Sequence, residues 1–338
     1  MGRTICNVYF NELTLRDKIL AQGGGAAAIE AKGSQYFGII NGASGIYASQ
    51  DDYGTSYYYR GTKTGLNNNL IFAGMQWKII RINGDGSVRL IYNGECPNDT
   101  CTINSTGTTT QIGTYRWSDY NNDYQYFGYM YGETKGGSST SRAQATSNVN
   151  SIYIKTVLDN WYVSKFQGNL SENKIVDNLF CNDRKLQSEE GGESTGPGYG
   201  KSQDTYYAAY YRLAINRTPT LRCGRKGDRF TVNDTIVGNG TLTYPVGLIT
   251  ADEASMAGLV IWENNTTNYL YTNQKFFTIS PFYGWFSGPM YMGSVGADGT
   301  LNNDLVGNTI GIRPVISING DVKITGTGST SDPFKVIF

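Results

Sequence analysis

The chain has 338 residues, 28 basic side chains against 28 acidic, no histidine, and charge on only 17% of positions. Balanced charge without a lysine or arginine cluster excludes an electrostatic nucleic-acid footprint, and weak charge combined with many rings excludes a disordered chain. No apolar run reaches the roughly eighteen residues of a membrane-spanning helix, while the length is ample for a sizeable core.

With 26 Tyr, 13 Phe, 5 Trp and 43 Gly, the chain reads as many short elements joined by tight turns, with large rings filling the interior. Met1-Gly2-Arg3-Thr4-Ile5-Cys6 lacks the apolar stretch of a secretory signal. That start is compatible with a removed export segment and equally with a natural one.

In chain order, Asn11 can cap a helix through Leu13, Leu15, Ile19 and Leu20 that stops at Gly23-Gly24-Gly25. Short aromatic strands follow, including Tyr57-Tyr58-Tyr59, and Asp51-Asp52 reads as a solvated turn. Leu70-Ile71-Phe72, Trp77 to Ile82 and Ser87 to Tyr92 read as strands. The last two form a hairpin through Asn83-Gly84-Asp85-Gly86, whose residues supply positive backbone angles. Ile152 to Phe166 has helical apolar spacing, and a second helix is expected from Ser171 towards Phe180. Ser188 to Ser202 is a glycine-rich loop, Tyr206 to Leu213 an aromatic block of helical type, and Leu242 to Pro245 an extended piece. Thr250-Ala251-Asp252-Glu253 is a capping box opening a short helix. The remainder, including Gly288 to Ser294 and Gly311 to Ile318, reads as short strands and turns. Short strands with helices inserted between them indicate a single α+β body over 1–338. Within it, 1–95 completes the core, 96–240 is an insert, and 241–338 forms the C-terminal part.

Five cysteines lie at 6, 96, 101, 181 and 223. Cys96 and Cys101 flank a turn-like Pro-Asn-Asp-Thr, Cys181 and Cys223 could bridge a longer excursion, and Cys6 is left odd. Disulfides, buried free thiols and, without histidine, a four-thiolate zinc site stand as alternatives.

Segments spread over nearly the whole chain, among them Leu15 to Leu20, Trp77 to Arg81, Gly84 to Tyr92, Asp159 to Tyr162, Cys181 to Arg184, Thr250 to Glu253, Gly311 to Ile316 and Ser331 to Phe334, resemble a family of uncharacterised surface or secreted proteins of gut Firmicutes. The C-terminal half of that family is similar to the C-type-lectin-like fold shared with formylglycine-generating enzymes. The resemblance implies mixed and antiparallel short strands with inserted helices, export to the cell surface of a Gram-positive bacterium, and a scaffold presenting variable loops.

The candidate ligand-binding residues are Trp262, Asn264, Tyr269, Tyr271, Phe282, Tyr283, Trp285 and Tyr291, rigid rings among short polar turns. Asn265 and Asn268 could add amides for a glycan or for a host or bacterial surface protein. The competing reading buries Tyr269, Tyr271 and Phe277 as core and leaves the asparagines to turns. Structural roles fall to Cys96, Cys101, Cys181, Cys223, Asp252, Glu253 and Arg313, with Arg313 expected to tie a buried strand to Asp252 or Glu253. No cofactor is expected. Asp85, Asp298 and Asn302-Asn303-Asp304 offer oxygen ligands for structural calcium but fit ordinary hairpins equally. Without histidine, serine elbow or phosphate loop, an enzyme is not expected. A structural envelope protein, or a glycosidase built from distant carboxylates, are the alternatives.

Overall fold

The structure, a computed structural model, describes residues 13–200, 202–286 and 288–338. Cys6 and Asn11 lie outside them. It is an α+β arrangement of two open mixed sheets and two two-stranded ribbons, with short helices between and around them.

The larger sheet has eight strands and grows around Met75–Ile82, which is buried along its whole length. On one edge this strand pairs antiparallel with Val88–Glu95, through the turn in which Gly86 N–H donates to Asn83 O at 2.9 Å and Gly86 sits at φ +87°. That is a conformation glycine adopts without strain. Its other edge is shared by Thr55–Arg60 and Asn69–Phe72. The chain's end returns to this sheet: Val315–Ile318 pairs with Val88–Glu95, and Phe334–Val336 runs parallel to Asn69–Phe72. The nominal N- and C-terminal parts therefore share one sheet.

The second sheet has six strands, with Phe276–Gly284 between Met290–Val295 and Ile310–Gly311. Leu301–Leu305 lies outermost beside Met290–Val295, and the two-residue strand Thr205–Tyr206 pairs with the end of Phe276–Gly284.

The helix Leu15–Gln22 is capped by Thr14, whose hydroxyl accepts from Asp17 N while Asp17 reaches back to Thr14 N. The helix Tyr153–Lys165 buries Ile154, Leu158, Trp161 and Tyr162, as its apolar spacing predicts. Trp161 and Phe166 meet Trp77 of the large sheet at ring-centroid distances of 6.3 and 6.5 Å. The expected second helix is one short turn, Leu170–Lys174, after which the chain extends into Phe180–Cys181. Backbone pairing explains the difference: Val176 N–H donates to Ser317 O, so this stretch is held against a strand. Of the stretch Leu242 to Pro245, Thr243 to Pro245 form bends and none of it is a strand.

Cys96–Cys101 and Cys181–Cys223 are disulfides, with Cα separations of 5.0 and 5.6 Å. By loop closure alone they constrain the unfolded chain by about 2 and about 4 kcal/mol respectively. Among the described residues no helix is long and apolar enough to cross a membrane.

Candidate functional site

Two constellations of side chains stand out, one closed and ionic, the other open and aromatic. The ionic one is organised by the capping box. Thr250 Oγ1 accepts from Glu253 N, and Glu253 Oε2 accepts from Thr250 N, so the helix Ala251–Met256 begins where the sequence predicts. Asp252 and Glu253 then diverge. Glu253 Oε1 meets Arg89 Nε at 2.8 Å and Arg81 Nε at 3.0 Å, while Asp252 takes Arg212 Nε at 2.9 Å. Arg81 also binds Asp51, and Arg212 also binds Asp183 and Glu190.

Burial by itself would raise the Glu253 carboxyl, but Arg89 and Arg81 beside it hold it below the usual range. For Asp183 burial wins over Arg212 and pushes the carboxyl up to about 6. The space between these groups is about 20 Å³, one water's worth. Asp51, expected in a solvated turn, is buried here. Besides Arg81 its carboxylate receives the N–H groups of Tyr53, Gly54 and Gly84. Asp52 receives Cys223 N–H and meets Arg229.

Arg313 corrects the expected tie to Asp252 or Glu253. Its guanidinium donates to Tyr92 O, Leu270 O and Asn93 Oδ1, and lies over the Phe276 ring at 4.9 Å. Carbonyl dipoles and a ring face replace the carboxylate, and burial lowers its pKa to about 9. Lys78 is held similarly, by Asn69 Oδ1 and Asn104 Oδ1. Burial, then the nearby Arg313 and Lys63, lower its pKa to about 7.

The aromatic constellation lies at the end of the smaller sheet where Thr205–Tyr206, Phe276–Gly284 and Met290–Val295 run side by side. Tyr206 is paired with Tyr283, and Tyr283 with Tyr291, so three tyrosines form a cross-strand ladder with centroids 5.5 and 4.9 Å apart. Trp285, two residues beyond Tyr283, meets its edge at 6.1 Å. Tyr210 leans edge-on against Tyr283 at 5.2 Å and against Phe282, which is buried as the floor, at 6.0 Å. Trp262 closes the chain of rings against Tyr210 at 6.5 Å. The tyrosines of the ladder are half-buried, whereas Trp262 and Trp285 are 54% and 45% exposed, and Phe286 at the hairpin tip is 54% exposed. Burial, then the neighbouring tyrosines, raise the Tyr283 hydroxyl to about 12, so it remains a neutral donor at physiological pH.

Trp262 occupies a tight turn in which Glu263 N–H donates to Val260 O, and its own φ is +63°. Glycine or asparagine is the ordinary occupant of such a position, and a tryptophan there costs on the order of 1 kcal/mol.

The sequence-predicted residues thus divide. Trp262, Phe282, Tyr283, Trp285 and Tyr291 come together. Tyr269 is buried, its hydroxyl without a hydrogen-bond partner among the described residues. Tyr271 sits apart from this chain of rings with Lys63 Nζ 5.2 Å from its centroid, and exposed Asn264 accepts from Thr300 Oγ1. Asn265 and Asn268 are buried and bonded to Asn41, which ties two loops together, so they offer no free amides. Phe277 is core.

Sequence reasoning did not place Tyr206 and Tyr210 in the site, although the aromatic block was visible. Tyr206 reaches it because the strand Thr205–Tyr206 pairs with Tyr283 and Gly284, and Tyr210 because the short helix Ala208–Tyr210 follows, continuing into a π-helical segment, Tyr211–Asn216. Arg212 and Leu213 turn inward there, while Tyr211 and Ile215 stay at the surface.

Of the oxygen-rich turns, Asp85 accepts from Ser87 and Asn178, Asp298 from Thr300 N–H, and Asp304 pairs with Lys275. Among the described residues no group of three or more Cys, Asp or Glu is placed to hold a metal. No family model matches the chain, and neither the curated proteins nor the solved structures contain a match.

Proposed function

We propose that the protein is a secreted or cell-surface binding module of a Gram-positive bacterium that recognises a glycan or a protein ligand through this aromatic face, without catalysis. The observation that carries the reading is Trp262: a large ring kept exposed in a strained backbone position, at the end of a continuous chain of half-exposed rings. That placement leaves a large apolar ring in water, whereas a partner covering the face would bury Trp262, Trp285 and Phe286 together. Stiff rings also lose little conformational freedom on docking.

Two disulfides fit an oxidising compartment such as the cell exterior. The motif resemblance supports assigning 241–338 to the C-type-lectin-like class. The buried carboxylates support binding over catalysis, since Asp183, Asp252 and Glu253 are each engaged by arginine around a space too small for a sugar, and Asp51, also held by arginine, lines a still smaller one.

Glycan-array and surface-protein screens with the wild-type chain and with Trp285→Ala and Tyr291→Ala test the reading. Binding lost in the variants at unchanged melting temperature is the expected result. Binding that survives both substitutions contradicts it.

A further inference from the structure

Beside the aromatic face lies a groove of about 300 Å³ lined by Gln187, Glu193, Tyr206, Tyr210, Tyr211 and Ile215. We propose that this groove binds an alkylammonium cation, carried by a quaternary amine or by a lysine side chain, between the three tyrosine rings with Glu193 as counter-charge. The proposal deepens the binding-module reading, on which it rests through the shared Tyr206 and Tyr210, by naming what the partner presents.

Three observations converge. Tyrosine rings make up half of the lining, and their negative faces attract cations most strongly when the cation is poorly hydrated, as alkylated ammonium groups are. Tyr206 rests one face on Tyr283 in a stacked arrangement, and Tyr211 anchors its hydroxyl on Gly191 O at 3.3 Å, so both rings are fixed before a ligand arrives. The charge of the groove is unbalanced. Glu189 is neutralised by Arg142 and Arg225, and Glu190 by Lys185 and Arg212, but among the described residues Glu193 forms no ion pair and no arginine or lysine lines the groove. An exposed carboxylate lining one groove with three rings, with an aliphatic wall at Ile215, is chemistry that selects a cation with an apolar shell over an anion or a neutral polyol.

The test uses the full chain, with the side-chain methyl resonances of Ile215 as reporter. It is titrated with choline, with an Nα-acetylated lysine amide, and with the neutral tert-butyl isostere of choline. Saturable shifts with at least one of the two cations and none with the isostere are expected, and the stronger arm tells quaternary amine from lysine. Glu193→Gln and Tyr211→Leu, neither of which removes a rung of the ladder or an exposed tryptophan, weaken the response by roughly fivefold or more. Trp285→Ala leaves it unchanged. An equal response to the isostere, or no saturable shift with either cation, overturns the proposal. Because Trp285→Ala removes the face and Glu193→Gln only the groove, failure here is separable from failure of the broader reading.

Discussion

Two clusters of rings in this protein share nearly the same internal geometry and differ in what surrounds them. Trp77, Tyr92, Trp161 and Phe166 contact one another at centroid distances of 5.6 to 6.5 Å between the large sheet and the helix Tyr153–Lys165, and all are buried. Trp262, Tyr210, Tyr206, Tyr283, Trp285 and Tyr291 contact at 4.9 to 6.5 Å on the end of the smaller sheet, half open to water. Ring-to-ring contact therefore does not distinguish core from recognition surface. What distinguishes them is the second layer: a helix covers the first cluster, and among the described residues nothing covers the second.

Substitutions sharpen this contrast. Trp77→Ala leaves a large void in a closed cluster and is expected to lose about 3–5 kcal/mol of stability in denaturant titration. Glu253→Ala, which strands Arg89 beside Arg81, should cost a comparable amount, on the order of 3 kcal/mol, read in the same titration. A loss below about 1 kcal/mol would mean that water already relieves the network.

Lys78 gives a smaller effect with a defined sign. Its folded-state pKa of about 7 lies below the unfolded value of roughly 10.4, so between the two the unfolded chain holds the extra proton. Stability then climbs as pH rises from 7 to about 9, by at most about 1.4 kcal/mol per pH unit, and the climb is absent in Lys78→Met. A pH-independent wild type over that window would contradict the assignment.

The open cluster is expected to respond in the opposite sense. Trp262→Gly relieves the left-handed backbone, so its stability is unchanged or up to about 1 kcal/mol higher. Trp285→Ala shifts it by less than about 0.5 kcal/mol. A loss of several kcal/mol for either would turn the face into core.

The features legible in the sequence are those whose cause is local. The hairpin at Asn83–Gly86 and the box at Thr250–Glu253 are set by residues a few positions apart, and both are present as read. The disulfides at Cys96–Cys101 and Cys181–Cys223 were one of several open alternatives, and distance in the fold decides among them. Exposure of Trp285 could be anticipated from its turn-rich surroundings, whereas the burial of Asn268 depends on Asn41, 227 positions away. Arg313 likewise finds its partners on segments 43 and about 220 positions distant, and nothing near it in the chain signals carbonyl oxygens in place of a carboxylate. Tyr206 joins the site only because a two-residue strand pairs with Tyr283–Gly284, a contact without local pattern.

The most direct measurement takes the strongest hit from the glycan and protein screens and compares its affinity for the wild-type chain with that for the Trp262→Ala/Trp285→Ala double variant, with melting temperature recorded in parallel. The outward-facing rings as a docking surface predict at least roughly tenfold weaker binding with the melting temperature preserved. Undiminished affinity, or a melting temperature that collapses with it, would contradict that role.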